Sequence, residues 1–183
     1  MKQLLRSVLA LSTAASLALI SLPALAATSA ELSRDSHKAL KALYAKIPAA
    51  KTLGAKAKAI LVFPKVTKAG LVVGGQYGEG AMIENGKVIG YYNTSGASYG
   101  LQAGAQTYGY VMFFMNEKAL QALDKNEGFE VGVGPSVVVM DEGMARNATT
   151  TTLTEDVYAF VFSQKGLMAG LGIQGNKISK IDK

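Results

Sequence analysis

The residues best able to do chemistry in this chain are one histidine and two pairs of adjacent acids. His37 is the only histidine and cysteine is absent, so the usual ligands of a transition metal and the usual general base are missing. The pairs Asp141-Glu142 and Glu155-Asp156 offer the oxygen ligands that hard cations prefer. Adjacent acids beside strand ends are more often solvated, so we predict no metal site and no cofactor.

The glycine-rich stretch at residues 74–80, Gly-Gly-Gln-Tyr-Gly-Glu-Gly, is only superficially like a phosphate-binding loop. It lacks the Lys-Ser/Thr pair that follows in such loops, and no helical pattern comes after it. A Ser-His-Asp triad is equally unconvincing, because the one histidine falls in an N-terminal helical pattern. The sequence therefore predicts a binding or structural protein rather than an enzyme.

Positive charge is concentrated near the start of the chain. Residues 31–70 hold nine basic and two acidic residues, whereas residues 71–183 hold eight basic and eleven acidic residues. A basic front on a mildly acidic body suggests attraction to anionic lipid or another polyanion, although lysines also keep an alanine-rich helical region soluble. The candidates for contact with lipid headgroups are Lys41, Lys46, Lys51, Lys56, Lys58, Lys65 and Lys68.

Residues 1–26 have the pattern of a secretory signal peptide. A basic start precedes an apolar core at residues 8–20, and Ala24-Leu25-Ala26 gives a small-x-small cleavage site. The alternative is an uncleaved membrane anchor, but the core is shorter than the roughly 20 residues that span a bilayer. We expect a periplasmic protein that is not a lipoprotein, since no cysteine is available for acylation, with residues 27–183 forming one domain.

The basic front, about residues 31–58, reads as two helices. Apolar residues recur at spacings of three and four in the first one, residues 31–47, with Ser29 as its predicted N-cap and Pro48 as its end. Its apolar face has two possible partners, which are a membrane surface with the lysines toward headgroups, or the rest of the domain. Residues 49–58 predict a short second helix.

The glycine-rich body, about residues 59–180, reads as strands. Residues 60–63 form an apolar run that we expect Pro64 to end, and Asn85-Gly86 between two apolar runs predicts a type I′ hairpin turn. Asn116 is the predicted cap of one inserted helix. The further predicted strands are residues 71–73, 81–83, 88–92, 98–115, 129–133, 137–140, 157–162 and 167–173, with turns at 165–166 and 175–176. The fold class is α+β, with a mainly antiparallel sheet or partly closed barrel of about eight strands.

Several ordered motifs in this body resemble the SYLF domain family, also called the Ysc84 or Las17-binding actin-regulator family. The matching pieces are residues 59–64, 68–75, 78–80, 99–106, 116–123, 132–135 and 158–170. In eukaryotic members the resemblance implies phosphoinositide, membrane and actin-patch binding. For an exported bacterial member it implies the fold and a tendency to face lipid, without those eukaryotic partners.

Three functions remain open from the sequence. The favoured one is a non-enzymatic cell-envelope protein that binds anionic phospholipid, with no nucleic-acid partner and no protein partner identified. A second is a periplasmic carrier of an apolar ligand, with the glycine faces and residues 111–115 lining a cavity. A third is a structural or partner-binding envelope protein that uses exposed strand edges.

Overall fold

The computed structural model describes residues 27–125, 129–130, 136–140, 155–167 and 176–183. The elements are α1 (Ser29–Lys46), α2 (Pro48–Lys56), β1 (Ala59–Glu84), β2 (Lys87–Phe114), α3 (Glu117–Lys125), β3 (Phe129–Glu130), β4 (Val137–Met140), β5 (Val157–Leu167) and β6 (Asn176–Ile181). The predicted α+β class, with N-terminal helices and one inserted helix, is confirmed. The predicted signal peptide and the acid pair at 141–142 lie outside the described residues, as do most of the strands predicted at 129–133 and 167–173.

A long antiparallel hairpin of β1 and β2 dominates the fold. Its turn is Asn85-Gly86, with φ values of 48° and 77°, as the predicted type I′ turn requires. Pairing continues from Glu84 and Lys87 at the turn to Ala59 and Phe114 at the far end. Each of these two strands contains at least two of the segments that the sequence predicted as separate strands. The described residues therefore form six strands.

The prediction that Pro64 ends its strand is wrong, because β1 runs through it without interruption. The pairing register shifts between Phe63 and Val66, so Pro64 falls in a bulge, where its missing N–H costs no regular ladder bond. Residues 64–68 are therefore part of β1. This change matters for Lys65 and Lys68, since it places them on a pleated strand with alternating exposure.

The remaining strands extend the sheet on both sides of β2. The strand order is β3-β6-β2-β5-β4, with β1 also paired to β2. All described pairings are antiparallel except β4 with β5. One detail differs from the sequence predictions, since β5 continues through the turn predicted at Lys165-Gly166. The chain then ends with β6, for which no strand was predicted.

The hairpin folds back on itself, so that the two halves of β1 lie against each other. A Cβ atom placed on Gly80 would lie 2.5 Å from the carbonyl oxygen of Val62, and one on Gly78 would lie 2.9 Å from that of Lys65. Only glycine permits two backbones to approach this closely. The glycine-rich sequence of β1 is therefore explained in part by backbone packing.

Two apolar clusters lie on opposite faces of the strands. The inner cluster fills the fold of the hairpin, and its members include Leu61, Phe63, Met82, Tyr92, Met112, Phe114 and Ile178. The outer cluster packs the helices onto the sheet, and its members include Leu40, Leu43, Leu53, Ile60, Val62, Phe113 and Phe160. Residues 111–114 alternate between the two clusters and are fully buried, as expected of a strand that is covered on both faces.

Helix α1 packs on its own domain rather than leaving its apolar face open. Leu32, Leu40 and Leu43 are all buried. The N-cap is Thr28, one residue before the predicted Ser29, and it forms a capping box with Glu31. Hydrogen bonds from the backbone N–H and then the hydroxyl of Thr28 lower the pKa of Glu31. Among the helices that the structure describes, none is long and apolar enough to cross a membrane.

Candidate functional site

The helices α1 and α2 display a basic surface, which we call the lysine face. Both helices bury their apolar residues against the sheet, Leu43 and Leu53 being fully enclosed, so their polar residues point away from it. The lysine face consists of the exposed Lys41, Lys46, Lys51, Lys56 and Lys58. These are five of the seven lysines predicted as headgroup contacts; four lie on α1 and α2, and Lys58 lies in the short segment between α2 and β1.

Within the part of the chain that the structure describes, the lysine face has no ion pair with an acidic residue. In the sequence no acidic residue occurs between Asp35 and Glu79. The ion pairs found within the described part of the chain are Arg34 with Asp35, and Lys183 with Glu79, and neither involves the face. The lysine ammonium groups are therefore available to an anionic partner, although binding would cost side-chain entropy as the long side chains become ordered.

The other two predicted contacts lie elsewhere. Lys65 is exposed on β1, outside the two helices. Lys68 is only 1% exposed and lies on the inner side of the folded hairpin, opposite Gln106. It also takes part in a polar interaction within the protein. In this conformation Lys68 cannot reach a membrane surface, so it does not belong to the lysine face.

A pocket of about 300 Å³ lies where the helices meet the tip of the hairpin, at the lower end of the size of ligand pockets. Lys58 of the lysine face lines it, together with His37 and Tyr44. The ring nitrogens of His37 lie 2.8 Å from the carbonyl oxygen of Ser33 and 3.2 Å from that of Gly86. His37 is exposed, as predicted, and it also connects α1 to the hairpin turn.

A second group of polar residues, which sequence reasoning missed, is buried inside the hairpin. We call it the polar interior, and it consists of Lys68, Gln76, Gln106, Tyr108 and Tyr110, all at most 9% exposed. The Tyr108 hydroxyl donates a hydrogen bond of 3.1 Å to Gln76 Oε1. Burial raises the pKa of Tyr108 to about 12, and burial followed by the proximity of Tyr108 raises the pKa of Tyr110 further.

The acidic pair Glu155-Asp156 has a structural role in the described region. Asp156 accepts hydrogen bonds from Asn116 Nδ2 at 2.7 Å and from the Ser136 backbone N–H at 3.3 Å. Asn116 in turn caps α3 through the Ala119 N–H, as predicted. Within the described residues no group of three or more His, Asp or Glu side chains could hold a metal ion.

These features define a small α+β protein whose distinctive sites are an exposed basic surface and a buried polar cluster. Residues 95–183 match the model of the family described as Ysc84, Las17-binding protein actin regulator. This part of the chain, from within β2 to Lys183, is similar to the Ysc84 family, also called the SYLF domain family. No curated protein matches the chain.

The matched residues include β5, β6, α3 and the half of β2 that contributes to the polar interior. The lysine face and the whole of β1 precede the match. The family match therefore supports the sheet and its helix α3, whereas the lysine face has to be argued from this chain alone.

Proposed function

We propose that this chain is a non-enzymatic, exported cell-envelope protein that binds anionic phospholipid through the lysine face. The observation that carries the proposal is the set of exposed lysines on α1 and α2 that have no acidic partner in the described structure. The pattern of residues 1–26 as a signal peptide supports a periplasmic location.

The number of lysines makes the expected affinity measurable. A lysine near an anionic membrane surface contributes about 1 kcal/mol, so the five lysines of the face together offer up to about 5 kcal/mol. The interaction is long-range and exposed, so it weakens as the Debye length falls to about 3 Å at 1 M salt. Binding should therefore be strong at low salt and lost at high salt.

The packing of α1 favours a particular mode of binding. Leu32, Leu40 and Leu43 are already buried in the domain, so inserting the apolar face of α1 into lipid would require detaching the helix. Adsorption through the lysine ammonium groups requires no such change. We therefore propose peripheral electrostatic binding, with the pocket beside Lys58 receiving one headgroup.

Vesicle co-sedimentation across salt concentrations tests the proposal. Wild-type protein should sediment with phosphatidylglycerol or cardiolipin vesicles at low salt and remain in solution with phosphatidylcholine vesicles. The double substitution Lys51→Glu and Lys56→Glu should reduce binding at least about tenfold, because it lowers the net charge of the face by four units.

A matched control separates the lysine face from net charge. Lys177 and Lys180 are exposed on β6, so Lys177→Glu with Lys180→Glu changes the total charge equally at a different surface. This control should reduce binding far less. Equal losses in both double variants, or no binding by the wild type at low salt, would contradict the proposal.

The two alternative functions have less support among the described residues. Residues 111–114, which would line an apolar cavity in a carrier, are packed in the two core clusters. The partner-binding alternative rests on exposed strand edges. Apolar side chains that could support it are Val73, Tyr77 and Ile89, which are each at least half exposed. These three are distributed over both long strands, whereas four of the five lysines of the lysine face lie on α1 and α2.

A further inference from the structure

The polar interior contains hydrogen-bond donors that have no partner in the described structure. The side-chain amide nitrogens of Gln76 and Gln106 and the hydroxyl of Tyr110 are buried and unpaired. Thr94, on the buried side of β2, has an unpaired hydroxyl as well. A buried polar group without a partner costs about 1–3 kcal/mol, so several together in one small domain require an explanation.

The pairing register places Gln106, Tyr108 and Tyr110 on the same buried side of the hairpin. These three residues occupy alternate positions of β2. Gln76 comes from the other half of β1, and its hydrogen bond to Tyr108 joins the two halves across the fold. Lys68 lies directly opposite Gln106 in the register. The cluster is thus built by the folding back of the hairpin.

The chemistry of the cluster is that of a donor set. The unpaired nitrogens of Gln76 and Gln106 are donors only, since each is an amide NH₂. The carbonyl oxygen of Gln76 already accepts from Tyr108, which fixes the direction of its NH₂ group. Lys68 adds a positive charge, and none of the buried polar residues described is acidic. Such a set is complementary to an oxyanion.

We propose that the polar interior binds an oxyanion, which is a carboxylate or phosphate group, through Gln76, Gln106 and Tyr110. The group belongs to a free anion or to the head of a lipid, and both present the same oxygens to the donors. Lys68 contributes its charge to the potential at the site, while the unpaired amides and hydroxyl supply the hydrogen bonds. The proposal is independent of the lysine face, which lies on the helices.

Solution NMR of the full-length protein tests the proposal with two probes. The side-chain NH₂ resonances of Gln76 and Gln106 are followed during titration with inorganic phosphate and, separately, with decanoate. Shifts with phosphate indicate a free anion, and shifts with decanoate alone indicate the head of an acyl chain. Either result supports the proposal, and the absence of any shift with both probes at millimolar concentration overturns it.

Substitutions test the donors one at a time. Gln106→Met keeps the length of the side chain and removes the amide, so it should weaken binding of the active probe about tenfold or more. Gln121→Met, at an exposed position of α3, should leave binding unchanged. A Gln106→Met variant that binds as well as the wild type would overturn the proposal.

The same titration separates this proposal from the proposed membrane function. Lys51→Glu with Lys56→Glu should abolish most vesicle binding and leave the NH₂ shifts of Gln76 and Gln106 intact. Failure of vesicle binding in the wild type with intact shifts removes only the lysine face. Loss of the shifts in the double variant would show that the probe binds at the helices, and it would overturn the interior site.

Discussion

The lysine face and the polar interior use similar residues in opposite surroundings. On the helices the lysines are exposed and the apolar residues are buried, which is the ordinary arrangement of an amphipathic helix. Inside the hairpin a lysine, two glutamines and two tyrosines are buried. The difference shows that residue type alone does not decide exposure here, because the folding back of β1 covers whatever lies on its inner side.

Lys58 and Lys68 show this contrast most directly. Both lie in the basic front of the sequence, but Lys58 precedes β1 and is exposed, while Lys68 is buried within it. The cover over the inner side of β1 depends on close backbone contacts at Gly78 and Gly80. Substitutions at the glycines, at the two lysines and at the helix caps therefore test this contrast between the lysine face and the polar interior.

The largest effect is expected at Gly80. In Gly80→Ala the new methyl group would lie 2.5 Å from Val62 O and 2.6 Å from a ring carbon of Phe63, so the two halves of β1 must separate. We expect a loss of about 3 kcal/mol or more in the free energy of unfolding, measured by urea denaturation.

Gly75→Ala is the matched control for this substitution. It lies on the same strand, and the nearest atom to its new methyl group is 3.9 Å away, which is ordinary contact. Its stability should stay within about 0.5 kcal/mol of the wild type. Equal stabilities for the two variants would mean that β1 does not fold back as described.

The next effect compares the two lysines. Lys68→Ala removes a long buried side chain and should cost about 2 kcal/mol of stability, since the surrounding core closes only in part. Lys58→Ala removes an exposed one and should change stability by less than about 0.5 kcal/mol. Chemical denaturation of both variants measures the difference, and a neutral Lys68→Ala would show that Lys68 is not enclosed.

Local sequence signals predicted the features whose causes are themselves local. The Asn85-Gly86 turn follows from the ease with which both residues adopt positive φ. The Asn116 cap follows from a side chain that accepts a bond from the Ala119 N–H. The helices and their exposed lysines follow from spacing at three and four residues, so most of the lysine face could be identified before the fold was known.

The polar interior could not be predicted, because its cause is a contact between distant parts of the chain. Pro64 resembled a strand end, although a bulge allows β1 to continue through it. Gln76 and Tyr108 are 32 residues apart in the sequence and meet only when the hairpin folds back. Lys68 and Gln76 are buried, and their neighbours along β1 are exposed. The sequence alone does not predict this arrangement, because polar residues at alternate positions of a strand normally mark its solvent-facing side.

A smaller effect is expected at the cap of α1, which holds the first helix of the lysine face. Thr28→Ala removes the hydroxyl that accepts from the Glu31 N–H at 3.3 Å, and it should cost about 1 kcal/mol. Thr28→Ser keeps the hydroxyl and should be nearly neutral. Hydrogen exchange of the first turn of α1 measures the change, and equal exchange in the two variants would contradict the role of the cap.

The smallest effect concerns acid stability at Asp156, on the sheet side of the molecule. The bond from Asn116, followed by smaller contributions from Ser136 and Lys118, holds the pKa of Asp156 below its ordinary value of 3.8. A lowered pKa in the folded state stabilises the protein above pH 3.8, and that contribution is lost as the pH falls through the lower folded value. Because Asp156 is well solvated, the contribution is a few tenths of a kcal/mol.

Thermal unfolding of Asp156→Asn against pH measures this contribution. The variant should be less stable than the wild type at neutral pH, and the two curves should converge below pH 3.8 as the wild-type carboxylate is protonated. Asp182→Asn, at an exposed position after β6, should follow the wild type throughout. If the stability of Asp156→Asn stays parallel to that of the wild type at every pH, the charge of Asp156 does not contribute to stability.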